Sequence, residues 1–429
     1  MKRTIIASLL ALVTMVGHAQ IKCHIEGTIA TDKLGDEILI YEEGTDLRLY
    51  DDPRYHIKVK DGRFIYDIET DCPRLYCIEF LEWFYKGGYM GRFLTENGTV
   101  KVTLYDDQAP KVISDGTEGH MYQVLDSIED ARFWKPIDEI DDKIENPDRI
   151  KEFYDAAYLS TEAEAEKMNE EKMPQAYVDS LRKVLNQYYK NPRSQYTEAG
   201  WILQQHRDSL CNAIDSFRVA YYTEHPMLWA LYDTKEALKR LNLAFAYLNF
   251  DPSKYEPYLT LYHEKLSTLY PGHPVHQQIA TAEAAYRLQP GKPYTDYTVR
   301  NIDGQLVPIS SLIKGRVAII DLWASWCGSC RKHSKAMIPL YEKYKDKGLT
   351  IIAIAREKKR EDMENAAQKD GYPWPSLLEL NDENKVWLKN GADNAGGRIF
   401  LIDKNGTILS FWKEPEELEP LIQKALNIE

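Results

Sequence analysis

The stretch Asp321-Leu322-Trp323-Ala324-Ser325-Trp326-Cys327-Gly328-Ser329-Cys330-Arg331-Lys332 decides how this chain is read. Leading into it, Val317-Ala318-Ile319-Ile320 is a short, mostly β-branched apolar run rising from a turn at Lys314-Gly315, the pattern of a buried strand. Beyond Cys330 the residues Ala336, Pro339, Leu340 and Tyr344 advance by helical steps. The cysteines therefore fall at a strand-to-helix junction, with the second about one turn inside the helix.

That placement has chemical consequences. A sulfur at a helix N-terminus meets unpaired backbone N–H groups and the positive end of the helix dipole. Both favour the thiolate, so Cys327 is expected to ionise below the free-thiol value of about 8.5 and to act as the attacking sulfur. Cys330 is then the more buried, resolving thiol, and with only Gly328 and Ser329 between them the pair can close as a disulfide. A zinc half-site and a structural disulfide are the alternatives. A four-cysteine zinc site needs a second ligand pair, and the sequence has no other Cys-x-x-Cys. The Gly-Ser linker has no charged or imidazole group to stabilise a thiolate strongly, which favours a reducing rather than an oxidising pair.

On these residues the segment Asp321–Cys330, with its Trp-Ala-Ser-Trp-Cys-x-x-Cys core, resembles the active-site stretch of extracytoplasmic thiol–disulfide oxidoreductases of the TlpA/ResA group, which have a thioredoxin-like fold. The resemblance covers roughly residues 286–429 of the sequence. It implies that Asp321, six residues before Cys327, is a buried carboxylate of raised pKa that exchanges a proton near Cys330. It also implies that Trp323 and Trp326 shield the dithiol and offer an apolar platform, and that Trp326, Gly328 and Ser329 meet the partner. Two positions depart from the group. Where a cis-proline precedes the Phe400-Leu401-Ile402-Asp403 strand, this chain has Gly397, which keeps the substrate-facing backbone accessible without pre-ordering it. Where Glu and Pro usually follow the motif stand His333 and Lys335, leaving Pro339 to kink the helix and placing a titratable imidazole that either faces solvent or tunes the site. The rival reading is an extracytoplasmic binding or scaffold protein with a vestigial thioredoxin-like domain. A peroxidase of the peroxiredoxin kind is disfavoured because Ala324 stands where a Thr is expected three residues before the cysteine.

Around the motif, Asp303-Gly304 marks a hairpin turn, Leu349–Ala355 a second apolar strand, Lys359–Lys369 a polar helix, and Arg398–Ile402 and Thr407–Trp412 a pair of strands about Asn405-Gly406. Glu416–Leu426 closes as a helix with Pro420 in its first turn. This order fits an α/β domain over 288–429, bounded by the Pro- and Gly-bearing stretch 288–297.

Upstream, 116–287 reads as α-helical: Val178/Leu181/Leu185/Tyr188, Leu203/Leu210/Ile214/Phe217/Tyr221, Leu231/Leu238/Leu241/Phe245/Leu248 and Tyr255/Leu259/Tyr262/Leu266 are apolar stripes. The charged run Thr161–Lys172 is a solvated helix face, and Asp251-Pro252 is a helix start. His206, His225, His263, His273 and His276 form no His-Glu-x-x-His arrangement, and no metal or cofactor is expected. Residues 20–115 alternate with period two at Ile38/Ile40, Ile57/Val59, Phe64/Tyr66/Ile68 and Val100/Val102/Leu104, with turns at Asp61-Gly62 and Asn97-Gly98. They predict an antiparallel β-sandwich and resemble an uncharacterised β-rich module fused to thioredoxin-like domains. The aromatic group Phe80, Trp83, Phe84, Tyr85 and Tyr89 is read as core packing, with a partner surface as the alternative.

Residues 1–19 read as a signal peptide: Lys2 and Arg3, an apolar stretch Ile5–Val16 too short to span a bilayer, and the cleavage signal Gly17-His18-Ala19. The expected location is the periplasm, with no stable membrane insertion and with protein thiols or disulfides as partners. A net charge of −13 without a basic stretch argues against nucleic acid. Export lets disulfides persist; of the other cysteines, Cys23 and Cys211 are read as buried thiols and a Cys72–Cys77 link stays open.

Overall fold

The structure, a computed structural model, describes residues 20–31, 35–45, 52–170, 173–244, 252–392, 396–411 and 413–428. Residues 1–19, Lys172, Phe245, Leu248, Asp251 and Trp412 lie outside the described residues. The chain divides into two compact units, the first ending at Met121 and the second starting at Tyr122.

The first unit holds β1 (Ile21–Ile29), β2 (Glu37–Glu42), β3 (His56–Lys58), β4 (Arg63–Thr70), β5 (Leu75–Phe80), the short helix α1 (Leu81–Lys86), β6 (Gly91–Leu94), β7 (Gly98–Leu104) and β8 (Lys111–Ser114). They form two four-stranded sheets, β4-β1-β7-β8 and β3-β2-β5-β6. Ile25, Phe64, Val100 and Val102 from one sheet share a buried cluster with Ile38, Ile40, Ile78 and Phe80 from the other. The pairing is not all antiparallel: β1 runs parallel to β7, from Cys23 opposite Gly98 to Ile29 opposite Leu104. Strands that far apart in the chain are not tied by a hairpin, so their direction leaves no local sequence mark. Phe80 and Trp83 pack edge to face at 5.1 Å, but on a strand end and a helix rather than within one sheet, and Tyr89 is exposed. Cys23 and Cys77 are buried and Cys72 half-buried, all three as free thiols.

The second unit begins with helices: α2 (Thr117–Glu129, whose first residues fall in the first unit), α3 (Lys135–Ile144), α4 (Ile150–Phe153), α5 (Ala156–Glu170), α6 (Gln175–Lys190), α7 (Glu198–Glu224), α8 (Leu228–Ala244), α9 (Glu256–Leu261) and α10 (Pro274–Tyr286). Their apolar stripes face inward, and a charged grip reinforces them: Arg218 of α7 donates two 2.6 Å bonds to Glu129 of α2, which is 2% exposed. Cys211 is a half-buried free thiol on α7.

The rest is α/β: β9 (Thr298–Arg300), β10 (Leu306–Pro308), α11 (Ile309–Ile313), β11 (Val317–Trp323), α12 (Gly328–Ala336), α13 (Ile338–Tyr344), β12 (Leu349–Glu357), α14 (Arg360–Asp370), β13 (Ser376–Leu380), α15 (Val386–Lys389), β14 (Ile399–Ile402), β15 (Ile408–Phe411) and α16 (Pro415–Leu426). The sheet order is β10-β9-β13-β12-β11-β14-β15. β11 is an interior strand, parallel to β12 and antiparallel to β14, and all seven of its residues are buried. A strand buried on both faces reads as a continuous apolar run, which is why Val317–Ile320 was so legible. This is a thioredoxin-like sheet. Pro415, not Pro420, occupies the first turn of α16; Pro420 lies within the helix. Ile320 has no exposed surface. Ile320→Ala is expected to cost roughly 2–5 kcal/mol in denaturant unfolding, and a loss below about 1 kcal/mol would contradict this account of the core.

Candidate active site

β11 delivers the motif and α12 receives it. Cys327 is the N-cap of α12, with extended torsions (φ −85°, ψ 92°), and the Cys330 N–H points at Cys327 Sγ from 3.3 Å. The two sulfurs are bonded as a disulfide. Ser329 Oγ lies 3.6 Å from Cys327 Sγ. Both cysteines are enclosed, Cys327 at 4% and Cys330 at 7% exposure, so Cys330 is not the more buried of the pair as the sequence suggests, and a partner must press close to reach either sulfur.

The loop ahead of Cys327 is held from two sides. Glu357, the last residue of β12, accepts from Ser325 N at 2.5 Å and from Ser325 Oγ at 2.8 Å. Arg331 donates to Ser325 O at 3.1 Å and is itself gripped by Asp370 at 2.6 and 3.0 Å. Burial raises the Glu357 pKa while the two Ser325 donors pull it down. The positive charge of Arg331 is therefore spent largely on Asp370, which it holds below the usual carboxylate range. Glu357→Gln keeps the volume but replaces one acceptor oxygen with a donor. The expected result is about a tenfold fall in the alkylation rate of reduced Cys327, matching the loss of one charge-assisted bond of roughly 1.5 kcal/mol. An unchanged rate would mean that the clamp does not position the sulfur.

Asp321 is 1% exposed, and burial pushes its pKa up to about 7, with the Ser334 hydroxyl working the other way. Ser334 Oγ lies 2.6 Å from Asp321 Oδ2 and 3.0 Å from Cys330 O, tying the carboxyl to the turn that carries the second cysteine. Gly397 directs its N–H at Cys330 Sγ from 3.3 Å. Asp321, Ser329, Cys330, His333 and Gly397 line a cavity of about 250 Å³ beside the disulfide.

Three further sequence expectations change. Trp323 has no exposed surface and packs edge-on against Tyr372 at 5.1 Å, so it belongs to the core and only Trp326, 5.6 Å from Trp387, remains near the surface. His333 does not face solvent: its side chain is 18% exposed, Nδ1 lies 3.7 Å from Glu414 Oε2, and burial lowers its pKa. The helix after the motif is broken rather than bent, with α12 ending at Ala336 and Pro339 sitting in the first turn of α13. Glu357, Ser334, Asp370 and Arg398 were missed. Only Glu357 carried a signal, a carboxylate ending an apolar run that was read as stopping at Ala355.

The central disulfide at a helix N-terminus on this sheet defines a thioredoxin-like redox domain. Residues 290–411 match the model of the AhpC/TSA family, so the chain carries a domain of that family at its C-terminal end. The same third is similar to thiol-disulfide oxidoreductase ResA of Bacillus thuringiensis, 28% identical over 123 residues that cover 29% of this chain and 69% of ResA. It is also 29% identical to a probable phospholipid hydroperoxide glutathione peroxidase of Solanum lycopersicum, over 31% of this chain and 92% of that one. Among solved structures, the thioredoxin domain of a thiol-disulfide oxidoreductase from Bacteroides vulgatus is 26% identical, covering 33% of this chain and 99% of that domain with a TM-score of 0.30. The similarity to thiol–disulfide oxidoreductases thus belongs to the C-terminal domain. Among the described residues no helix is long and apolar enough to cross a membrane.

Proposed function

We propose that this protein is exported to the periplasm and exchanges disulfides with partner proteins through Cys327 and Cys330, more readily as a reductant. The observation that carries the reading is the Cys327–Cys330 disulfide at the start of α12, with Cys327 capping the helix and taking the Cys330 N–H. In the reduced state the same N–H and the helix dipole favour a Cys327 thiolate. That thiolate attacks a partner disulfide, a mixed disulfide forms, and one partner sulfur leaves as thiolate. Cys330 then attacks Cys327 Sγ, closes the internal disulfide and releases the second partner sulfur. Asp321 takes the Cys330 proton as that sulfur becomes nucleophilic, a task suited to a buried carboxyl poised near 7. Trp326, Gly328, Ser329 and the Gly397 backbone form the partner-facing rim.

Protein thiols and disulfides are the proposed substrates, in keeping with the ResA similarity. We further propose 1–19 as a cleaved signal peptide, 20–115 as a β-sandwich domain, 116–287 as a helical domain and 288–429 as the redox domain. The enclosure of both sulfurs and the Gly in place of a cis-proline support the rival, a binding protein with an inactive dithiol. Insulin reduction by the full-length protein separates them: turnover that requires both cysteines supports the enzyme, and none supports the rival.

A further inference from the structure

Gly397 is where the chain departs most from the family pattern, and the structure gives the position a physical reason. A Cβ built there would lie 1.6 Å from Leu322 O and 3.3 Å from Cys330 Sγ. The backbone of 397 is thus pressed against the end of β11, and no L side chain fits without displacing it. The requirement is for space rather than for an unusual torsion, since Gly397 is not among the glycines with positive φ. The next peptide is locked in the sheet: Leu322 N donates to Arg398 O at 2.9 Å, extending the β11–β14 pairing by one residue. Arg398, buried at 6% exposure, anchors its guanidinium on the Asn242 carbonyl at the end of α8. Sheet and helices therefore fix the 397 amide in place before any chemistry occurs.

That amide is aimed at Cys330 Sγ from 3.3 Å, a donor that a proline there lacks. The Cys330 N–H in turn serves Cys327 Sγ, so each sulfur receives one backbone donor. The charged and titratable groups around the same cavity are Asp321 from β11, Lys332 and His333 from α12, Arg398 ahead of β14 and Glu414 at the start of α16. Among these, Asp321 and Glu414 carboxylates would oppose negative charge on Cys330, and burial disfavours a charged His333. The amide is a fixed dipole, indifferent to pH across that range, already oriented at the atom where charge develops.

We propose that the backbone N–H of Gly397 holds Cys330 as a thiolate during the resolving step, making Gly397 a positioning and charge-stabilising residue rather than a vacated cis-proline position. The inference rests on the dithiol reading above. In the step it serves, Asp321 accepts the Cys330 proton. The Cys330 thiolate then attacks Cys327 Sγ, the Cys327–S–S–partner bond breaks, and the partner leaves as thiolate with the electron pair. Two electrons have passed to the partner, and the Cys327–Cys330 disulfide is the oxidised product.

The test uses the full-length chain carrying Cys327→Ser, reduced and ¹⁵N-labelled, so that Cys330 titrates without its partner sulfur. The Gly397 amide proton should move downfield as Cys330 ionises, both changes sharing one midpoint. In the chain with Cys327 intact, Gly397→Pro should raise the Cys330 pKa by one to two units. A smaller thiolate fraction, partly offset by higher nucleophilicity, then slows release of a Cys327-linked partner about three- to tenfold. An amide resonance that ignores Cys330 ionisation overturns the proposal, as does a folded Gly397→Pro chain that releases its partner at the parental rate. The amide measurement reads Cys330 alone and needs no foldable proline variant. It stands whether or not Cys327 exchanges with proteins, so the two readings fail separately.

Discussion

Cys327→Ser is expected to abolish insulin reduction by the full-length protein, whereas Cys330→Ser stops after one half-reaction and accumulates a mixed disulfide on Cys327. The asymmetry follows from position. Cys327 caps α12 and takes the Cys330 N–H, so its thiolate is the one the backbone stabilises. Removing it leaves no sulfur at the helix start. Removing Cys330 keeps the nucleophile but deletes the group that displaces the captured partner. Turnover in both cases should fall at least about a thousandfold, the scale of losing a covalent nucleophile or its second step. Mass spectrometry of the trapped adduct checks the order of events. An adduct on Cys330 in the Cys327→Ser chain, formed as fast as the Cys327 adduct, would reverse the assignment.

Asp321→Asn is expected to stabilise the fold at neutral pH while slowing the resolving step. Burial raises the carboxyl from its ordinary 3.8 to about 7. The folded state therefore keeps the proton where the unfolded chain has released it, and stability falls as pH rises between about 4 and 7. Across that window the penalty is about 4 kcal/mol, an amount the asparagine variant does not lose. The kinetic sign is opposite. Above pH 7 the carboxylate can take the Cys330 proton, so resolution should quicken as pH rises through about 7, and the variant should lose that inflection. Urea unfolding at pH 5 and pH 8, with the pH profile of partner release, reads both effects. A variant whose stability keeps the parental pH slope would show that Asp321 is not the buried acid.

The redox domain was legible because its information is local. The apolar run of β11, the two cysteines and the helical stripe after them lie within about thirty residues, and burial on both faces writes β11 and β12 as unbroken apolar runs. Strand β13 was not anticipated, since Ser376–Leu380 is short and follows Pro373 and Pro375, which read as a loop. The grip of Glu357 on Ser325 joins residues 32 apart, and that of Arg398 on Asn242 residues 156 apart; spacing rules do not reach such pairs. Trp323 shows the complementary failure, because a motif places a residue near a site without saying which way it turns. The parallel β1–β7 pairing likewise leaves the alternation of each strand unchanged. The burial of His333 leaves no local mark either, and Glu414, 3.7 Å from its ring, arrives from the far end of the domain.

The most direct measurement is the pH dependence of Cys327 alkylation in the reduced full-length protein, mapped to that residue by mass spectrometry. A midpoint clearly below the free-thiol value of about 8.5, moved upward when Glu357 no longer holds the loop, is the predicted result. A midpoint at or above that value would mean that the start of α12 does not activate the sulfur, and the redox mechanism would fall with it.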